Sequence, residues 1–178
     1  MRWIALLRGI NISGSKIMKM EALRELCAGL GWESVQTYIQ SGNIVFSSTQ
    51  TQHEKLEEQL ENAIREHFGY EVPVWVFSAE ELKSWLAQNP FAGDADKPAD
   101  RHFFTLLKQP CSDEAFAKLA ANAIAPEALA WNSRMVYFYV PANYARSKLN
   151  NNFVEQKLKT AATTRNGKTL ESLLSLAE

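Results

Sequence analysis

The sequence predicts an α+β fold of two tandem plaits, and three observations carry the prediction. Short apolar runs alternate with amphipathic stretches in the order strand-helix-strand-strand-helix-strand. The same order recurs in the second half of the chain. Between the halves lies segment 89–100, which holds Pro90, Gly93, Pro98, Asp94, Asp96 and Asp100 and shows no periodicity.

Each element has its own signal. Arg2–Arg8 is apolar almost throughout and reads as a strand central in a sheet. Lys19–Leu30 reads as a helix because Met20, Leu23, Leu26, Cys27 and Leu30 recur at three- and four-residue steps, and Gly29 and Gly31 stop it. Val35–Gln40 and Asn43–Ser48 read as two strands joined by a tight turn at Ser41-Gly42. Gln52–Phe68 carries Leu56, Leu60, Ala63, Ile64 and Phe68 on one stripe and glutamates on the other. Val72–Phe77 is a fourth strand, and Ala79–Ala87 a short helix with Ser78 as its N-cap. This order is that of a ferredoxin-like split βαβ plait.

The second half echoes the first. His102–Lys108 (HFFTLLK) matches Arg2–Arg8 (RWIALLR) in size and polarity, and Asp113–Ala121 echoes the first helix. Leu129–Val140 reads as a hairpin turning at Asn132-Ser133. Leu149–Leu158 is a helix, Lys159–Thr164 a short strand and Lys168–Leu176 the final helix. The expected division is therefore 1–88 for the first plait, 89–100 for a linker and 101–178 for the second. A single larger sheet shared by both halves is the alternative.

Composition narrows the function classes. With 46% hydrophobic and 22% charged residues the chain is globular. Two cysteines, Cys27 and Cys111, exclude a disulfide scaffold and a four-cysteine zinc site. No apolar run is long enough for a transmembrane helix and no signal peptide is apparent, so a cytoplasmic protein is expected. The net charge of −1 provides no bulk attraction to nucleic acid or membrane. It is unevenly spread, however. Eight Lys/Arg stand against 11 Asp/Glu through Pro90, and 11 against nine from Phe91 onward. Arg146, Lys148, Lys157, Lys159, Arg165 and Lys168 are offset only by Glu155. That stretch is either an ordinary solvated surface or an anion-attracting patch.

In a split βαβ the end of the first strand and the hairpin turn lie at the same end of the sheet. Arg8-Gly9-Ile10-Asn11 is thereby placed beside Gln40-Ser41-Gly42-Asn43. Arg8 offers a fixed cation, and Asn11, Gln40, Ser41 and Asn43 offer donors and acceptors. Lys16 sits on a loop that leads into a helix N-terminus, where free N–H groups favour an anion. The competing reading is structural, with glycines allowing positive φ and asparagines closing loops. Gly9–Lys16 approaches a P-loop, but Ser15 and Lys16 are transposed and a plait lacks the parallel sheet that motif needs. A second candidate anion clamp is Lys148 with Thr164, Arg165 and Asn166, with helix capping as the alternative. Met135, Tyr137 and Tyr139 alternate along a strand that lacks the glycines of an RNA-binding signature, so they are expected in the core. No histidine or cysteine has a recognisable metal spacing and no serine sits in a nucleophile elbow. No metal or cofactor is expected.

The motifs Ala5–Asn11, Thr37–Asn43, Asn89-Pro90-Phe91, Ser147-Lys148-Leu149 and Thr163–Asn166 together resemble the bacterial domain-of-unknown-function family numbered 1697. The resemblance spans nearly the whole chain and implies two α/β-plait domains and no known activity. Gly167 stands where that family usually shows a tryptophan. The functional expectation is a binding module for a small anionic ligand, a nucleotide or phosphorylated metabolite, at the edge formed by Arg8 and Gln40–Asn43. Nucleic-acid binding by the basic C-terminal segment and catalysis on a phosphorylated small molecule are the alternatives.

Overall fold

The computed structural model describes residues 1–178. The chain is α+β, with two four-stranded antiparallel sheets and six helices. The first sheet has the order β2-β3-β1-β4, built from β1 (Arg2–Leu7), β2 (Glu33–Tyr38), β3 (Asn43–Ser47) and β4 (Val74–Ser78). Helices α1 (Met20–Gly29), α2 (His53–Phe68) and α3 (Ala79–Ala87) punctuate it. The second sheet has the corresponding order β6-β7-β5-β8, built from β5 (His102–Leu107), β6 (Ala128–Asn132), β7 (Met135–Tyr139) and β8 (Ala162–Asn166). The remaining helices are α4 (Asp113–Ala120), α5 (Asn151–Leu158) and α6 (Gly167–Ala177). By contact the chain divides into two compact units, Met1–Lys83 with Glu171–Glu178, and Ser84–Leu170. No helix is long and apolar enough to cross a membrane.

In the first unit β1 is central, and its alternate residues face opposite ways. Trp3, Ala5 and Leu7 join Leu23 and Cys27 of α1 and Leu56, Leu60 and Ile64 of α2 in one core. Ile4 and Leu6 on the opposite face are buried too, with Val45, Trp75 and Phe77 beside them in register. In the second unit Leu107, Val136 and Phe138 meet Leu119 of α4 and Val154 and Leu158 of α5. Met135, Tyr137 and Tyr139 are buried as expected, and so are Val136, Phe138 and Val140.

The ends of the two central strands are bonded alike. Leu7 N donates to Gly42 O at 2.8 Å and Arg8 N to Pro73 O at 3.0 Å. In the second unit Leu107 N donates to Arg134 O and Lys108 N to Ala161 O, both at 2.8 Å. The outer edge of β4 is closed by carboxylates. Val74 N donates to Glu61 Oε1, Val76 N to Glu57 Oε1 and Ser78 N to Glu81 Oε2, at 2.8, 2.9 and 2.8 Å. Glu81 N returns a bond to Ser78 Oγ at 3.1 Å, so the expected N-cap is a full capping box. On β8, Ala162 N donates to Glu155 Oε1 and Ala162 O accepts from Asn151 Nδ2, both at 2.9 Å.

Several boundaries differ from the sequence expectation. β2 ends at Tyr38, and a four-residue loop, 39–42, replaces the two-residue turn, because Asn43 Nδ2 draws Tyr38 O and Ser41 Oγ together at 2.9 Å each. The second hairpin turns at Ser133-Arg134, one residue later than expected, because Asn132 still pairs with Met135. β8 starts at Ala162 because Lys159 takes a left-handed φ of 56° at the end of α5. β4 begins two residues later than expected, after Pro73.

Two outcomes are expected. Gly42 has φ +75°, and a Cβ there would lie 2.6 Å from Leu7 Cβ and 2.9 Å from Ile10 Cδ1. Gly14 has the same φ, but nothing lies within 4 Å of the added atom. Gly42→Ala should therefore cost about 3 kcal/mol and Gly14→Ala about 1 kcal/mol, read as shifts in urea midpoint at constant m. Burial pushes the Cys27 thiol up to about 12 from 9.0 and the Tyr137 hydroxyl up to about 12 from 10.0. The folded state then holds protons that the unfolded chain releases. Stability is full below pH 9 and falls as pH rises towards 12. In urea melts over that range Cys27→Ala should remove the part of the decline that begins near pH 9.

Candidate functional site

The two segments expected to meet do meet. Leu6 pairs with Asn43 in the ladder, and Asn11 joins the loop after β1 to the hairpin. Asn11 Nδ2 donates to Gln40 O at 2.8 Å and to Met18 O at 2.9 Å, while Asn11 Oδ1 accepts from Met18 N at 2.7 Å. Asn43 is fully buried and spends its Nδ2 on Tyr38 O and Ser41 Oγ. The amides of Asn11 and Asn43 thus close loops, the structural use that competed with ligand contact. Gln40 is exposed, Arg8 is half-buried, and Lys16 Nζ donates to Glu71 O.

The loop itself has an unusual backbone. Gly9, Asn11, Ser13, Gly14 and Lys16 all have φ between 46° and 75°. Asn11 N bonds Lys16 O at 3.2 Å and Ser15 N bonds Ile12 O at 2.9 Å, whereas the amides of the exposed residues Ser13 and Gly14 have no partner in the chain. α1 begins just beyond, at Met20, and its N-cap residue Lys19 makes no side-chain cap. Ile39 sits at φ 51°, a strained conformation for a β-branched residue. Ile12, Ile17 and Ile39 are exposed on this loop and the adjoining hairpin, at 57%, 63% and 52%. Periodicity gave no sign of them: Ile12 and Ile17 lie outside every expected element, and Ile39, expected in the strand Val35–Gln40, lies beyond the end of β2 at Tyr38.

The second candidate clamp is not one cluster. Neighbouring residues of a strand face opposite ways, so Thr164 and Arg165 do not line the same surface. Thr164 Oγ1 donates to Asn151 Oδ1 at 2.8 Å, leaving it to accept from Thr105 Oγ1 at 2.8 Å and Tyr144 OH at 3.3 Å. Asn151 is oriented by its bond to Ala162 O, so the network closes on itself. Arg165 Nη1 donates to Thr163 Oγ1 and Thr164 O, both at 2.9 Å. Asn166 caps α6 by accepting from Thr169 N at 2.8 Å. Lys148 is exposed, donating to Asn122 Oδ1 at 3.2 Å, and its ammonium and that of Lys157 each lie 5.4 Å from the Phe153 ring centre. Gly167 opens α6 with Phe104 Cε2 3.5 Å from where a Cβ would sit.

Segment 89–100 is folded against β5. His102 is buried, with Nδ1 3.0 Å from Asn89 Nδ2 and Nε2 2.9 Å from Lys97 O. Asn89 Oδ1 is committed to Phe91 N at 3.1 Å, so Asn89 donates and His102 carries its proton on Nε2. Lys97 pairs with Asp94, a mutual hydrogen bond that holds the Asp94 carboxyl below its ordinary range and the Lys97 ammonium above it. Burial raises both thiols, Cys27 and Cys111, the opposite of an activated nucleophile. No group of three His, Cys, Asp or Glu side chains could hold a metal. A groove between α1 and α2, lined by Ala22, Leu26, Gly29, Ala63, Glu66 and His67, has no counterpart among the sequence motifs.

The family described as "Protein of unknown function (DUF1697)" matches residues 1–137, and the chain belongs to it. No curated protein matches the chain. Among solved structures, a conserved bacterial protein from Streptococcus pneumoniae is similar, with TM-score 0.79 and 23% identity, over 99% of this chain and 98% of the other. At that identity the likeness shows the fold alone.

The hydroxyl network yields a direct test. Thr164→Val strips a partner from Thr105, Tyr144 and Asn151 at once and should cost about 2–3 kcal/mol in urea denaturation. Thr164→Ser keeps the oxygen and should cost less than about 1 kcal/mol.

Proposed function

We propose that this protein is a cytoplasmic binding module for a small anionic ligand, held at the loop after β1. The observation that carries the reading is the backbone of Gly9–Lys16. Five of its eight residues have positive φ, and the consecutive pair Ser13-Gly14 forms the tip of the turn that Ser15 N closes on Ile12 O, which turns N–H groups towards solvent where they suit an anion. Ser13 and Gly14 present amides with no internal partner, and Arg8, Lys16 and Lys19 supply positive charge on either side. The uncapped start of α1 adds to the same field. Exposed Ile12, Ile17 and Ile39 favour a ligand with an apolar portion beside its charge, such as a nucleotide, over a bare inorganic ion. Strain at Ile39 fits a backbone held for binding. The strand order of each sheet supports reading both units as ferredoxin-like plaits, which place this loop at the open end of the sheet.

The test is an amide-resolved NMR titration with nucleoside mono-, di- and triphosphates. Binding should move the Ser13 and Gly14 amides first. Arg8→Ala should weaken it about tenfold or more, the scale of one charge-assisted hydrogen bond. Unmoved loop amides, or an Arg8→Ala protein that binds as well as wild type, would refute the assignment. Shifts produced only by oligonucleotides, at Lys148 and at Lys157 of α5, would favour nucleic-acid binding instead.

A further inference from the structure

The outer edges of the two sheets are treated unequally. The outward N–H groups of Val74, Val76 and Ser78 on β4 are closed by three glutamates. On β8, Glu155 and Asn151 close both peptide groups of Ala162, and Arg165 Nη1 takes Thr164 O. β2 is broken by a register shift between Glu33 and Gln36, has Ser34 at φ 50°, and has Ser34 O bonded by Arg2 Nη1 at 3.4 Å. Carboxylates, bulges and charges are the usual devices that stop an edge from pairing with another chain.

β6 has none of these. Its five residues, ALAWN, pair with β7 in unbroken register from Ala128↔Tyr139 to Asn132↔Met135. They include no charge, proline or glycine. The direction of its peptide groups follows from the ladder. Arg134 O accepts from Leu107 N, so alternate β7 residues from 134 onward point to β5, and Met135, Tyr137 and Tyr139 point to β6. Their partners Asn132, Ala130 and Ala128 therefore point inward, and Leu129 and Trp131 turn their N–H and C=O groups outward. Neither outward pair has a partner in the chain. Ala128, Leu129, Ala130 and Trp131 are all partly exposed.

We propose that β6 pairs antiparallel with β6 of a second copy of this chain, about a two-fold axis at Ala130. The edge is complementary to itself in that register. Leu129 of each copy meets Trp131 of the other, and the two positions that carry outward donors and acceptors exchange both bonds. Ala130 meets Ala130 at the non-hydrogen-bonded position, where strands approach most closely and a small side chain fits best. No like charges oppose, since Glu127 falls opposite Ser133 and Arg134 opposite Pro126. The product is a closed dimer with one continuous eight-stranded sheet, an isologous contact that cannot propagate.

The experiment is sedimentation velocity on the full chain across concentrations up to ~1 mM, the weak end of specific association. Wild type should move towards twice the mass of one chain. Ala130→Lys, which sets two ammonium groups face to face on the axis, should stay at the mass of one chain while keeping the wild-type circular dichroism. Ala130→Cys in a Cys111→Ser background should form a disulfide-linked dimer on mild oxidation, reversed by reductant, and this arm stands even if Ala130→Lys fails to fold. Wild type that stays at one-chain mass throughout with no cross-link, including a monomer whose β6 instead takes up an extended peptide, overturns the proposal. So does an Ala130→Lys protein that dimerises as well as wild type.

Discussion

The carboxylates on the outer edge of β4 set the terms for the first sheet. β1 lies between β3 and β4, which leaves β4 as an edge. An edge strand whose residues are all buried cannot leave its amides to water. Each amide left unsatisfied would cost about 1–3 kcal/mol. Glu57 and Glu61 stand one helical turn apart on α2 and meet amides two residues apart on β4. That match fixes how far along the strand α2 lies, and apolar packing of Leu56, Leu60 and Ile64 fixes how close it comes. The second unit repeats the solution with Glu155 and Asn151 of α5 on β8. A helix that looks in sequence like an acidic solvated face is thus partly an extension of the sheet's hydrogen bonding.

Most of the architecture was legible because it rests on periodicity. The element order, the core stripe of α2 and the burial of Cys27 all follow from spacing. The capping box at Ser78 follows from a local motif. What was not legible depends on partners distant in sequence or on single backbone angles. No local rule ends β2 at Tyr38, since the cause is the side chain of Asn43. None moves β8 forward, since the cause is the left-handed turn at Lys159. The glutamates of α2 gave no hint of their bonds to β4, because acidic residues on a helix read as solvated by default.

The candidate sites divide along the same line. Topology alone brought the Arg8 and Gln40–Asn43 segments together, and the ladder places them so. The second grouping, Lys148 with Thr164, Arg165 and Asn166, rested on proximity along the chain, and strand alternation separates its members. Both motifs are dense in polar side chains for a shared reason. Asn11, Asn43, Asn151 and Thr164 saturate buried backbone and hydroxyl groups where chain segments cross. Polar motifs in loops therefore mix groups that hold the scaffold with groups that face solvent, and only the bond inventory sorts them. In the loop after β1 the asparagine side chains do the holding, and the Ser13 and Gly14 amides are what is left over.

The first unit is not continuous along the chain. Its last eight residues, Glu171–Glu178, come after the whole of the second unit, and Leu176 O accepts a 2.8 Å bond from Arg2 Nη2. Synthesis proceeds from the N-terminus at roughly 5–20 residues per second. The N-terminal sheet therefore leaves the ribosome several seconds before the segment that completes it. During that interval the first unit lacks its last eight residues and the Leu176 carbonyl that accepts from Arg2. The second unit has all its residues once Leu170 is made, so the unit begun first is the one completed later.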